Sequence, residues 1–213
     1  MKYLKLMGLA AIAALALTAF GAGSASAAVL CKVAPNASNE CLPSTNIYPT
    51  GTKLTGTLKT GTVATLTNSL GNVTCKKSSL SGELTNGSTA TGVITGFSFS
   101  ECERAGSPCT VTTTLEAGKN HHAQAAATTA GNGTLAVTKG TNGQNPGAFV
   151  ECGSFIKCTF TTEKATLTVT GGAPATAIAN KISLLRSGGL CPSEATWDAE
   201  YTLSPSPLYI AAK

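Results

Sequence analysis

Apolar residues in this chain recur at every second position in short runs, with threonine or serine between them. "ATLTVT" places Ala165, Leu167 and Val169 on one side and three threonines on the other. "GFSFSEC" aligns Phe97 with Phe99, "CTVTTTL" aligns Cys109, Val111 and Leu115, and "KCTF" aligns Cys158 with Phe160. A period of two in segments rich in β-branched residues predicts strands with one buried and one wet face. Asn86-Gly87, Asn132-Gly133, Asn142-Gly143 and Gly171-Gly172 fall between the runs, at positions suited to turns. The best helical competitor, "ATAIANKISLLRS" over 175–187, is also rich in β-branched residues and is read as strand. The expected fold is therefore all-β: an antiparallel β-sandwich, or a barrel-like closure, of about 10 to 12 short strands whose threonines cover the wet faces.

The start of the chain departs from this pattern. "MKYLKLMGLAAIAALALTAFGAGSASA" carries Lys2 and Lys5, an apolar run from Leu6 to Phe20, and small residues ending in Ala25-Ser26-Ala27. That order predicts a secretory signal peptide over 1–27, cleaved after Ala27. The apolar run is shorter than the roughly 20 residues that span a bilayer, and no second such run follows, so no transmembrane segment is expected after cleavage. Leu30 precedes Cys31 where a lipoprotein signal needs a small residue. The protein is expected to be secreted and extracellular, or to associate with the cell envelope. After the leader peptide, residues 28–51 read as an irregular segment and 52–213 as a single β domain, closing in an extended tail over 204–213. No period of about 20 to 50 residues runs through the chain, which argues against a solenoid or propeller.

Charge changes the picture little. Lysine and arginine total 15 against 10 acids, and without Lys2 and Lys5 the basic count is 13. No basic run exceeds Lys76-Lys77, so the clustered patch needed to neutralise several phosphates is missing and nucleic acid is not an expected partner. Cell-envelope or environmental polysaccharide, or another protein, remains.

Cysteine changes it more. Cys31, Cys41, Cys75, Cys102, Cys109, Cys152, Cys158 and Cys191 all follow Ala27. An even set in an exported chain predicts four structural disulfides, and the absence of C-x2-C spacing argues against a metal site. If Val73–Leu84 and Thr91–Cys102 form a hairpin, Cys75 and Cys102 meet at its open end. A competing choice joins Cys102 to Cys109 and frees Cys75 for a distant partner. Cys152 with Cys158 would close a second hairpin, Cys31 with Cys41 would pin the leader, and Cys109 would then meet Cys191.

Familiar chemistries find little support. Lys59-Thr60-Gly61 and Ser154-Phe155-Ile156-Lys157 match two elements of penicillin-recognising serine enzymes, but in reversed order and without S-D-N. His121 and His122 are the only histidines and Asp198 the only aspartate, and no G-x-S-x-G elbow accompanies them. Neighbouring histidines on a strand face opposite ways, and the polar segment "AGKNHHAQ" reads as an exposed turn. Paired cysteines offer no thiolate nucleophile. No P-loop or dinucleotide fingerprint is present, so no cofactor is expected.

"CPSEATWDAEYTL" holds the one Trp and the one Asp. As a strand it puts Trp197, Ala199, Tyr201 and Leu203 on one face and Asp198, Glu200 and Thr202 on the other. Carboxylates at i and i+2 have Cα atoms about 7 Å apart, a spacing compatible with a glycosidase pair. Such enzymes draw their acids from different strands and place aromatics beside them, whereas here the Trp faces away. The simpler reading is a core strand with Trp197 and Tyr201 inside and the two acids outside.

"CTVTTTL", "FVECGSFIKCTF", "TLTVTGGAPAT", "SGGLCPSEATWDAEYTL" and "SPSPLYI", in that order behind a signal peptide, resemble a group of small secreted proteins of high-GC Gram-positive bacteria that has no assigned activity. The resemblance spans roughly 71–210 and rests on cysteines, turns and core aromatics. It implies a secreted β-rich fold and transfers no catalytic or binding residue. In that group a Pro-Trp element follows "CTV", where this chain has "TTTLEAGKN", so nothing attached to that element carries over. The expected role is a non-catalytic, extracellular binding or structural protein. The alternative is a polysaccharide-acting hydrolase using Asp198 and Glu200.

Overall fold

The computed structural model describes residues 27–115, 119–187 and 191–213; all but the last residue of the predicted signal peptide lies outside them. The described residues form fourteen strands: β1 (Ala28–Cys31), β2 (Lys53–Leu58), β3 (Ala64–Asn68), β4 (Gly71–Asn86), β5 (Thr91–Arg104), β6 (Ser107–Thr113), β7 (His121–Ala127), β8 (Gly133–Gly140), β9 (Gly147–Cys152), β10 (Ile156–Thr161), β11 (Lys164–Thr170), β12 (Thr176–Arg186), β13 (Glu194–Ser204) and β14 (Tyr209–Ala212). The fold is all-β and antiparallel throughout its strand ladders. It has more strands than expected because two of them, β1 and β14, come from the segments read as irregular leader and tail. Leu30 and Ile210 are buried there, and pairing satisfies the backbone groups that travel inward with them.

Pairing in the twelve-stranded sheet closes on itself twice. One circuit runs β4, β5, β7, β8, β11, β12, β13, β2 and back to β4. The other runs β4, β5, β6, β9, β10, β12, β13, β3 and back to β4. The long strands β4, β5, β12 and β13 belong to both circuits and hold them end to end. Between β13 and β4, β2 and β3 follow one another in line; between β5 and β12, two three-stranded units lie one beyond the other. The result is a barrel of two stacked rings, with the apolar positions of each alternating run turned inward, as in the buried Ala165, Leu167 and Val169 of β11.

Both shared hairpins are irregular where the rings meet. In β4 the inward positions pass from Cys75 to Ser78, leaving both Lys76 and Lys77 exposed, and Glu101 on β5 has a φ of 53°. In β12, Asn180 and Lys181 together face the single residue Asp198 of β13, a β-bulge with Lys181 at a φ of 46°. The buried Tyr201 and Ser78 hydroxyls bond across the interior at 2.9 Å, joining β13 to β4 at this level.

The β1–β14 ribbon covers the end of the first ring. Leu30, Leu208 and Ile210 project into that end, and Gly133 has no room for a side chain because a Cβ would lie 2.3 Å from the Ala126 carbonyl oxygen and 2.9 Å from Ile210. Tyr48 ties the leader to the tail by donating to the Pro207 carbonyl at 2.7 Å.

Three disulfides reinforce the second ring. Cys75, Cys102, Cys109 and Cys152 stand directly opposite one another in succession across β4, β5, β6 and β9. Register alone therefore permits both Cys75–Cys102 and Cys102–Cys109; the bonds formed are Cys75–Cys102 and Cys109–Cys152. The expected Cys152–Cys158 and Cys109–Cys191 bonds are exchanged partners. Cys158 lies opposite Val150 and Cys152 opposite Ile156, so the two cysteines are out of register across their hairpin. Cys158 instead bonds Cys191, just before β13, and Cys31 bonds Cys41 beside the ribbon.

Candidate functional site

Inside the barrel, at the level where the rings meet, lies a cavity of about 100 Å³. One wall is aromatic. Phe97 and Phe99 on β5 have ring centroids 4.6 Å apart, and Trp197 on β13 meets Phe97 edge-on at 5.5 Å. Tyr201 lies behind them, 6.3 Å from Trp197 and 6.4 Å from Phe97. Strand alternation brings the group together: Phe97 and Phe99 are two apart on β5, as are Trp197, Ala199 and Tyr201 on β13. Aliphatic side chains from both three-stranded units, among them Val111, Leu135, Val137 and Leu167, make the facing wall. The lining continues to the seam between those units at Thr113, Leu115, Pro146 and Thr162. A second space of 60 Å³ adjoins it in the first ring and shares Leu80, Ile94 and Leu135 with it.

The polar side chains of this lining are His121, Trp197 and the threonines Thr65, Thr113 and Thr162. His121, at the start of β7, is 6% exposed, and Trp197 packs within the aromatic wall. Neither the His121 Nδ1 nor the Trp197 Nε1 has a hydrogen-bond partner among the described residues. A buried polar atom without a partner costs about 1–3 kcal/mol, and both of these atoms are closed off from solvent. Burial, and then the neighbouring His122, lowers the pKa of His121, which makes the neutral imidazole the dominant form at pH 7. Burial pushes the Tyr201 phenol well above its ordinary range, outweighing the opposing hydrogen bond from Ser78.

The residues singled out in the sequence are distributed differently. The expectation of an exposed histidine turn is corrected: His121 is buried in a strand, and its neighbour His122 is exposed. Trp197 and Tyr201 face inward, whereas Asp198 and Glu200 of β13 are engaged outside. Asp198 Oδ1 accepts the Lys181 backbone N–H at 2.9 Å, capping the bulge, and Glu200 Oε1 pairs with Lys59 Nζ at 2.7 Å. Lys157 pairs with Glu151 at 2.7 Å while Ser154 occupies the preceding turn, so the S-x-x-K and K-T-G lysines lie in separate ion pairs. All eight cysteines are in disulfides, and among the described residues no group of three histidine, cysteine or acidic side chains could hold a metal ion.

Sequence reasoning missed His121 as a lining residue. The available signal was the alternation His121-Ala123-Ala125 in "HHAQAAA", with small residues marking an inward face. The chain matches no family model, no curated protein and no solved structure.

Proposed function

We propose that this is an exported, non-catalytic binding protein that holds a small uncharged molecule inside its barrel. The observation that carries the reading is the apolar cavity with its aromatic wall of Phe97, Phe99 and Trp197. A concave interior space lined mainly by apolar and aromatic side chains is the usual form of a small-molecule site. Four disulfides favour an oxidising compartment outside the cytosol, in keeping with the signal-like sequence over 1–27. Against the hydrolase alternative stand the structural engagements of Asp198 and Glu200 on the outer face.

Trp197 is the one tryptophan and lines the cavity, so its fluorescence reports occupancy. The mature protein is titrated with a panel of small uncharged apolar and aromatic compounds, and in parallel incubated with polysaccharides while reducing sugar is measured. A saturable change in Trp197 emission with no sugar release is the expected result. Silence across the compound panel, or sugar release that Asp198→Ala abolishes, would overturn the reading.

A further inference from the structure

The sizes of the two interior spaces, and what stands between them, specify the occupant further. From them we infer that the barrel takes an unbranched, uncharged hydrocarbon chain, threaded past Leu80 so that it fills both spaces. This deepens the binding reading above and rests on it. The cavity beside the aromatic wall measures 100 Å³ and the adjoining space 60 Å³, and the side chains of Leu80, Ile94 and Leu135, which line both, form the partition between them. An apolar cavity of about 150 Å³ accepts benzene in another protein. Neither space reaches that size alone, whereas the two together do. A rigid ring cannot be divided between two compartments, but a flexible chain can pass a narrow neck.

The sequence keeps this neck open with small inward residues. Gly82, Gly92, Ala123 and Ala125 line the adjoining space, and Leu30 and Ile210 of the covering ribbon close its far end. At the partition the decisive residue is Gly56, a buried, inward position of β2. A Cβ there would lie 2.9 Å from Leu80 Cγ and 3.3 Å from Leu203 Cδ2, so both leucines rest against bare backbone and are held back from the middle of the barrel. Among the described residues neither lining contains lysine or arginine, so a carboxylate or phosphate head would enter without a cation to pair with it. An alkyl chain needs no partner of that kind. It gains by leaving water and by close contact with the ring faces and aliphatic side chains around it.

The test compares n-hexane with cyclohexane, which have the same number of carbons in different shapes, on the oxidised mature protein in sealed cells. Trp197 fluorescence reports binding, and each affinity is scaled to the compound's own solubility in water. Xenon, which apolar cavities bind and which is small enough to need only one space, is followed by xenon NMR. On the scaled measure n-hexane is expected to bind about tenfold more tightly than cyclohexane, the order of about two further buried methylene groups. Gly56→Ala should push Leu80 into the neck and remove about that tenfold from n-hexane while xenon still binds. Leu80→Ala should widen the neck, admit cyclohexane and erase the preference, which covers the case in which Gly56→Ala fails to fold. Equal scaled affinities, binding of xenon but of neither hydrocarbon, or an n-hexane affinity unmoved by Gly56→Ala would overturn this inference and leave the cavity reading intact. Binding of neither hydrocarbon nor xenon, together with silence across the wider panel, would overturn both.

Discussion

Replacing Asp198 by alanine separates a structural carboxylate from a catalytic one. Its Oδ1 accepts the backbone N–H of Lys181 at 2.9 Å, in a bulge where Lys181 has a φ of 46°. Removing a side-chain oxygen that satisfies a local backbone donor costs about 0.5–2 kcal/mol, as at helix N-caps. The left-handed conformation that remains costs a residue with a side chain roughly 1–2 kcal/mol, with nothing left to hold it. A loss of about 1–2 kcal/mol is therefore expected. At about 2–4 °C per kcal/mol for a domain of this size, Tm should fall by roughly 2–8 °C. Asp198→Asn keeps an acceptor oxygen and should lose less. Lys181→Gly in the Asp198→Ala background should recover up to about 1 kcal/mol, because glycine adopts positive φ without strain. Glu200→Ala removes an ion pair to the largely exposed Lys59 and should change stability by no more than about 0.5 kcal/mol. Urea unfolding with the disulfides intact reads all four variants. The bulge account is refuted if Asp198→Ala proves as stable as Glu200→Ala, or if glycine at 181 gives no recovery.

Three further outcomes are expected. Proteolysis of the unreduced protein should yield disulfide-linked peptides joining Cys109 to Cys152 and Cys158 to Cys191; a Cys152–Cys158 peptide would contradict the register across β9 and β10. Tyr201→Phe leaves the buried Ser78 hydroxyl without its partner and should destabilise by about 1–3 kcal/mol, whereas adding Ser78→Ala should restore part of that, as a double-mutant cycle would reveal. His121 has a folded-state pKa below its ordinary value, so the unfolded chain binds the proton first as pH falls. Its contribution to stability is complete above about pH 6.5 and declines as pH falls below that value toward the folded-state pKa. In His121→Phe this part of the pH dependence of Tm should be missing.

The strand faces were legible because alternation depends on near neighbours only: Val169, Phe160 and Tyr201 are buried as their runs require. The hairpin carrying Cys75 and Cys102 was legible for the same reason, since one turn fixes its register. Cys109 and Cys152 meet through β6 pairing with β9, a contact across an intervening hairpin that local pattern does not encode. The ends of the chain escaped because β1 and β14 are four residues each and gain their partners only from opposite termini. The cavity escaped for a similar reason. Each lining residue reads as ordinary core, and the space among them arises from the stacking of two rings. The role of Asp198 became clear only with the extra residue in β12, which the apolar spacing of 175–187 did not announce.

Closure of the twelve-stranded sheet has a consequence for how the protein behaves in company. Each of its strands has a neighbour on both sides over part of its length, so among the described residues no strand of this sheet is a free edge from end to end. Proteins with open sheets guard such rows with lysine, proline or inward charge. Here topology does that work, and the outer faces can be clothed largely in threonine and serine, in a chain with only 12% charged residues. Resistance to amyloid-like association is thus a property of the strand order, and it should survive surface substitutions that would make an open sheet of the same composition aggregate.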